Sequence, residues 1–390
     1  MKKAFYMMAA AAIALSSCSS EETTDVAKSS AITFRPTVGL NSRGVEMTSD
    51  ALNEMWVTGF YQKADEVYFS DLKYTKEKGS VNTFIPSAPV FWQDGRTYKF
   101  VAISPAKSEW PTGLTITRDE VTCENFEPKT DISAQKDMII KAVEANNDQW
   151  GKELELNFKH ILSQIQIKVK NGNENLVYNI KAVRINSVVG KKKLNYSTTT
   201  NTSTWGNIEG VNSDAQYTLT YANPYKLDGK NTTELTLTSA DATVENGGGA
   251  MLIPQNVTAW NGAKVDDTNQ YDGGTYISIY LNVRMASGNK FMYPAGAQGE
   301  LAYGWVAIPV PSINWEEGNK YIYTLDMSTG CGKVDPVDPG ENVNPDGKDP
   351  SKPKDPAKGD NVFGKAIKFT VKVLDWTDKF ADTDDGKLEM

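Results

Sequence analysis

The sequence predicts an all-β protein, and three features of its pattern support this prediction. Apolar and polar residues alternate with a period of two along several segments, for example at residues 153–159, 164–170 and 276–285. Clusters of Gly, Asn, Asp and Pro, such as those at 171–173 and 272–274, separate these segments and are typical of turns. No long stretch shows the 3.6-residue period of an amphipathic helix. Each alternating segment would place one face in a core and the other in water.

The N-terminus has the pattern of a secretion signal. Two lysines precede an apolar run at residues 4–15, which is too short to span a bilayer as a helix but suits a signal peptide. The Leu-Ser-Ser-Cys sequence at 15–18 follows it and is similar to a bacterial lipobox. We therefore expect residues 1–17 to be removed and Cys18 to carry acyl chains such as palmitate. An ordinary secretory signal with an incidental cysteine is the alternative.

Residues 18–30 are predicted to be a lipid-anchored linker, because they contain few apolar side chains. Two or more acyl chains anchor a protein firmly to a membrane. The acidic residues Glu21 and Glu22 resemble a surface-export signal of lipoproteins in the Bacteroides group, although they could also belong to a plain solvated tether. These features predict a surface-exposed protein on the cell outer membrane.

The rest of the chain divides into two strand-rich units and a C-terminal extension. A chain of 390 residues exceeds one typical domain, so we predict an N-terminal β-sandwich at 31–159 and a C-terminal one at 160–327. Residues 328–361 hold six prolines mixed with Asp, Lys and Gly, and are predicted to be an extended, solvated linker. Residues 362–390 would then contain one isolated strand and a tail.

The isolated strand near the C-terminus has a clear alternation. Ile367, Phe369, Val371 and Val373 face one way, and the polar residues between them face the other. A lone strand is not stable by itself, so it must join a sheet in its own subunit or in another molecule. The sequence leaves both possibilities open.

Charge and composition argue against several classes of function. The net charge of −8 argues against a nucleic-acid partner, which needs a basic patch. The single histidine, His160, disfavours His-dependent catalysis and multi-His metal sites, and we expect it to be a packed or capping residue. We therefore expect no enzymatic activity, no cofactor and no metal. Cys123 and Cys331 could form one bridge, but we favour free thiols.

Short motifs spread over most of the mature chain follow a recognisable order. They are Ile-Thr-Phe at 32–34, Ser-Arg-Gly at 42–44, Asp-Met at 137–138, Phe-Lys-His-Ile-Leu-Ser-Gln-Ile at 158–165, Met-Leu-Ile-Pro-Gln at 251–255, and the segments 56–60, 315–325 and 367–376. Together they resemble the fimbrillin family, the type V pilus subunits of the Bacteroides group. The resemblance implies two transthyretin-like β-sandwich domains and an outer-membrane lipoprotein. It also implies a structural subunit of a cell-surface fimbria that supports adhesion.

For stalk members the resemblance further implies proteolytic processing between Arg43 and Gly44, which would remove the first strand. Arg43 could also be a surface residue without a special role. The vacated groove would accept a strand from a neighbouring subunit by β-augmentation. We assign the apolar face of residues 367–373 to this donor strand; alternatively, the strand closes its own C-terminal sandwich. The partners would be other fimbrial subunits, identical or different, and the outer membrane through the lipid.

A second class of function remains open. In a surface glycan-binding lipoprotein, exposed Trp and Tyr side chains would stack on sugar rings. The chain has nine Trp and seventeen Tyr, but strand aromatics are equally expected in cores, so the sequence does not isolate such a platform.

Overall fold

The computed structural model describes residues 31–38, 51–61, 66–80, 82–210, 214–230, 234–244, 247–297, 301–376 and 387–389. The predicted sites Cys18, Arg43 and Gly44 lie outside the described residues. The all-β prediction is confirmed, since the described part forms strands and only three short 3-10 turns, at Lys107–Glu109, Ile132–Ala134 and Asn147–Gln149. No helix in these ranges is long and apolar enough to cross a membrane.

The strands follow one another along the chain with mostly short connections. In chain order they are β1 (Phe34–Val38), β2 (Glu54–Tyr61), β3 (Val67–Lys76), β4 (Phe84–Pro86), β5 (Tyr98–Ser104), β6 (Thr115–Ile116), β7 (Glu120–Phe126), β8 (Ile139–Ala145), β9 (Leu154–His160), β10 (Ser163–Lys170), β11 (Leu176–Val188), β12 (Lys192–Ser197), β13 (Thr202–Gly206), β14 (Ala215–Asp228), β15 (Leu235–Thr236), β16 (Ala250–Leu252), β17 (Gln255–Val257), β18 (Tyr276–Met285), β19 (Phe291–Tyr293), β20 (Gly304–Pro309), β21 (Ile313–Trp315), β22 (Asn319–Asp326), β23 (Lys333–Val334), β24 (Lys368–Asp375) and β25 (Lys387–Glu389).

The N-terminal unit is a closed cycle of seven strands in the order β1-β4-β3-β2-β5-β8-β9. The cycle closes because β1 runs parallel to β9. Phe34, Pro36 and Val38 of β1 are buried, while the residues between them are exposed, as the period of two requires. The core of this unit also contains inward-facing residues from β2, β5 and β9. The first strand is therefore an integral part of the barrel.

The C-terminal unit is a sandwich of two six-stranded sheets. One sheet has the order β15-β10-β22-β24-β25, with β16 added to β10, and the other has the order β14-β11-β18-β20-β23, with β19 added to β18. Buried residues of both sheets belong to one continuous hydrophobic core. A separate pair, β17-β21, completes this half.

A four-stranded sheet, β13-β12-β7-β6, joins the two halves. Strands β6 and β7 precede residue 159, whereas β12 and β13 follow it. A third hydrophobic core lies between this sheet and one face of the barrel. The division at 159/160 stays a prediction, because this sheet takes strands from both sides of it.

The prediction of a solvated linker at 328–361 is wrong. Strand β23 lies inside this segment and pairs with β20. Its residue Val334 is fully buried, as is Asp335. Asn344 is also buried, and its side-chain amide donates hydrogen bonds to backbone carbonyls of the same segment, including that of Asp349 at 2.8 Å. The backbone groups of this segment therefore have specific hydrogen-bond partners, and the segment covers the C-terminal sheet.

Asp335 is the centre of the network that holds this segment in place. Its carboxylate accepts a hydrogen bond from the Ser278 hydroxyl at 2.6 Å and lies 3.2 Å from the Arg184 guanidinium. It also accepts hydrogen bonds from the backbone N–H groups of Val337 and Asp338, each with an N···O distance of 2.9 Å. A buried carboxylate is tolerated only when it is paired and hydrogen-bonded, and here both conditions hold. Composition alone cannot reveal such partners, which explains the wrong prediction.

Candidate assembly site at the C-terminal strand

The predicted donor strand, β24, lies in the C-terminal sheet of its own subunit. It runs antiparallel to β22 over its whole length, from Lys368 opposite Asp326 to Asp375 opposite Asn319. Its other edge carries β25, which pairs with only three residues of β24. In the subunit alone, the strand thus closes its own sandwich, which is one of the two possibilities left open by the sequence.

The apolar face of β24 is unevenly buried. Val371 has an exposed fraction of 0%. Ile367, Phe369 and Val373 are only partly buried where they pack against the C-terminal core. The strand is therefore attached to its own sheet without using its whole apolar face.

The first strand, β1, occupies a much deeper groove. It pairs with β9 from Phe34 opposite Leu154 to Val38 opposite Phe158, and Phe34 also pairs with Phe84 of β4. The Phe34 side chain is fully buried. Its ring centroid lies 4.9 Å from that of Tyr74 and 5.4 Å from that of Phe100, both in edge-on arrangements. Removal of β1 would leave an apolar groove between β9 and β4.

An aromatic anchor follows the last residue of β24. The Trp376 ring stacks on the imidazole of His160 with a centroid distance of 3.9 Å and an interplanar angle of 6°. His160 is buried, as expected, and its Nδ1 lies 2.6 Å from a carboxylate oxygen of Asp137. The backbone N–H of Trp376 donates to the Gly318 carbonyl at 2.7 Å. Sequence reasoning missed this contact, since no pattern relates His160 to a residue so far along the chain.

The beginning of β24 is fixed by a close backbone contact. The backbone N–H of Lys365 donates to the Thr329 carbonyl at 3.0 Å, and Gly330 bridges to Gly364. Gly364 has a φ of +68°, and a Cβ placed there would lie 2.1 Å from the Thr329 oxygen. Only glycine fits this position. We call this contact of Thr329 and Gly330 with Gly364 and Lys365 the clasp. Ala366 is the first residue after it.

Comparison with known proteins identifies the family. The fimbrillin-like family model matches residues 45–342, which is most of the chain. The chain belongs to the fimbrillin-like family. No functionally curated protein matches this fimbrillin-like chain.

Several solved structures are similar to this fimbrillin-like chain at low identity. A candidate cell adhesion protein from Bacteroides uniformis is 13% identical, with 89% of this chain and 99% of that chain covered and a TM-score of 0.44. One from Bacteroides ovatus is 14% identical, with coverages of 77% and 93% and a TM-score of 0.42. A fimbrial assembly protein from Parabacteroides distasonis is 9% identical, with coverages of 88% and 96% and a TM-score of 0.34.

The two described cysteines of this fimbrillin-like chain are free and buried, in agreement with the prediction of free thiols. Cys123 lies in β7, and Cys331 lies in the core of the C-terminal sandwich. Burial raises the pKa of both thiols, because the charged thiolate is poorly solvated in an apolar environment.

We expect both thiols to be unreactive in the folded protein. In a Cys18→Ser variant, a maleimide at pH 8 should modify Cys123 and Cys331 at least ~100-fold more slowly than in the unfolded chain, because raised pKa values and burial both reduce accessible thiolate. Mass spectrometry of the time course would measure this, with the guanidinium-unfolded protein as control. Rapid modification of either thiol before unfolding would contradict the prediction.

Proposed function

We propose that this chain is a structural subunit of a cell-surface fimbria that supports adhesion, and that it assembles by strand exchange. In this scheme β24 of one subunit takes the place of β1 in the next. The partner is another fimbrial subunit, and the strand match makes a second copy of this chain our proposed partner. The proposal rests on one observation, a match between the two strands.

The side-chain patterns of β1 and β24 coincide. Residues 32–38 read Ile-Thr-Phe-Arg-Pro-Thr-Val, and residues 367–373 read Ile-Lys-Phe-Thr-Val-Lys-Val. Ile, Phe and the last Val recur with the same spacing, and Pro36 corresponds to Val371. Polar residues occupy the alternate positions in both strands. A strand with this pattern, in the same direction and register, would place Phe369 in the pocket of Phe34.

The partly buried side chains of β24 would gain burial in this groove. Ile32, Phe34 and Val38 are almost completely buried, whereas Phe369 and Val373 are only partly buried in their own sheet. Full burial of an apolar side chain is worth about 1.5–3 kcal/mol, so transfer to the groove would recover part of this for each of them.

Processing between Arg43 and Gly44 would prepare the groove. This bond lies between the end of β1 at Val38 and the start of β2 at Glu54. Cleavage would turn β1 into a separate segment that an incoming strand can displace. It would also release the lipid-bearing N-terminus from the assembled subunit.

We expect the precursor to be a lipoprotein of the outer membrane, exposed at the cell surface. Because the acyl chains can attach only to the thiol at the lipobox position, a Cys18→Ala protein should be soluble or remain unprocessed. Fractionation and mass spectrometry of the mature N-terminal peptide would measure this, with a Ser19→Ala variant as control. An unmodified Cys18 in the mature wild-type protein would contradict the expectation.

Electron microscopy of cells with and without the gene for this chain tests the proposed function. We expect surface filaments that disappear on deletion and that antibodies against this chain label along their length. Unchanged filaments in the deletion strain would contradict the proposal. Specific retention of the unassembled monomer on a glycan column would instead support the glycan-binding alternative.

A further inference from the structure

We infer that Trp376 acts as a latch that keeps β24 in its own subunit and limits how often the strand is released, an inference that rests on the proposed strand exchange. Trp376 directly follows the last residue of β24 and has an exposed fraction of only 4%. Release of the strand therefore requires extraction of a buried indole.

The latch joins two separately packed parts of the molecule. The apolar face of β24 packs on the core of the C-terminal sandwich. Trp376 instead belongs to the core between the barrel and the four-stranded sheet, together with Leu162, Tyr196 and Met251. The end of the strand is thus held by contacts that β24 itself does not make.

His160 and Asp137 are positioning residues for this latch. Asp137 holds the imidazole through the 2.6 Å contact at Nδ1, so its flat face is oriented for the indole, which lies parallel to it at 3.9 Å. Gly318 completes the site, since its carbonyl accepts the N–H of Trp376 and its own N–H donates to Leu162. His160 is the last residue of β9, so the latch attaches the donor strand to the barrel that would accept a neighbour's strand.

Contacts outside the strand hold both ends of β24, while its middle is held by the ladders with β22 and β25 and by the buried Val371. The clasp at Gly364 fixes the beginning, and Trp376 fixes the end, while Phe369 and Val373 between them are only partly buried. The clasp precedes the strand and can remain closed during release. Release of the donor strand therefore requires extraction of Trp376 as well as opening of the β22–β24 ladder. Early release would also expose the edge of β22, a template for aggregation.

Hydrogen–deuterium exchange of the full chain, read by mass spectrometry, tests this inference. In Trp376→Ala we expect the amides of residues 368–375 to exchange on the order of 100-fold faster, while those of β11 and β18 keep their wild-type rates. Trp376→Phe retains a smaller stacking ring and should give an intermediate increase. His160→Ala should resemble Trp376→Ala.

Trp205→Ala is the matched control, because Trp205 packs at the same core, with its ring 5.0 Å from that of Phe126, but lies in β13, which pairs with β12 and not with β24 in the described part of the chain. It should leave the exchange of β24 unchanged. The latch would be contradicted if the amides of β24 exchanged at the wild-type rate in both Trp376→Phe and His160→Ala. It would also be contradicted if Trp205→Ala accelerated the exchange of β24 as much as Trp376→Ala does. If Trp376→Ala exchanged faster in β24 but did not form polymers faster, the latch would be supported and strand exchange contradicted. Failure of the latch and failure of the proposed function are therefore distinguishable.

Discussion

Phe369→Lys should abolish polymer formation while the subunit itself stays folded. In its own sheet Phe369 is partly buried, so a lysine there can reach water and should cost only about 1 kcal/mol of stability. In a neighbour's groove it would take the place of Phe34, which is fully buried against Tyr74 and Phe100. Loss of the ring and burial of an unpaired charge should weaken strand binding by roughly 1,000-fold or more. Sedimentation and electron microscopy of processed subunits would measure this.

Thr370→Lys is the matched control. The residue at the corresponding place of β1 is Arg35, an exposed cation 3.7 Å from Glu153, so a lysine there should preserve assembly. Circular dichroism melting of both variants would show that each subunit is folded. Normal polymers from Phe369→Lys would refute the proposed register. Deletion of residues 365–390 is less informative, because β24 closes its own sandwich and its loss should destabilise the monomer as well.

Arg43→Gln should abolish filaments altogether. An uncut β1 stays covalently attached beside its groove, at an effective concentration in the millimolar range, and an incoming strand must compete with it. N-terminal sequencing of wild-type filaments should begin at Gly44. The variant should accumulate as an uncut monomer that retains β1.

Arg35→Gln is the control for this substitution, because Arg35 lies within β1 on its exposed face and should not be the cleavage site. Insertion of a foreign protease site in place of residues 42–44 should restore assembly when that protease is added. Filaments of normal yield from Arg43→Gln would argue against processing as the trigger. Filaments whose subunits begin at Cys18 would indicate an anchoring role instead.

Local patterns in the sequence predicted the strands well where one face is buried. The alternation at 276–285 coincides with β18, and the alternations at 153–159 and 164–170 correspond to β9 and β10. Periodicity reports which face of a strand is buried, but it does not report which sheet the strand joins. The place of β24 beside β22 was therefore open from the sequence.

Features that depend on distant partners could not be predicted in the same way. Residues 328–361 have the composition of a linker, yet Asp335 finds Ser278 and Arg184 on neighbouring strands. The sequence predicts a packed His160, and the residue is buried, but no pattern indicates its partner Trp376 in another part of the chain. The similar patterns of β1 and β24 can be read in the sequence. The burial of both strands is needed before this similarity can be related to strand exchange.

The clasp at Gly364 has a mechanical consequence for a filament. If it stays closed, the donor residues 366–376 extend at most about 36–40 Å from it, whereas a solvated linker of thirty residues would extend ~90 Å. Most of this length would lie within the acceptor groove, so adjacent subunits must touch, and the axial repeat is set by the size of the folded units. Tension along such a filament would load the strand's hydrogen-bond ladder in shear, with no slack segment to absorb it.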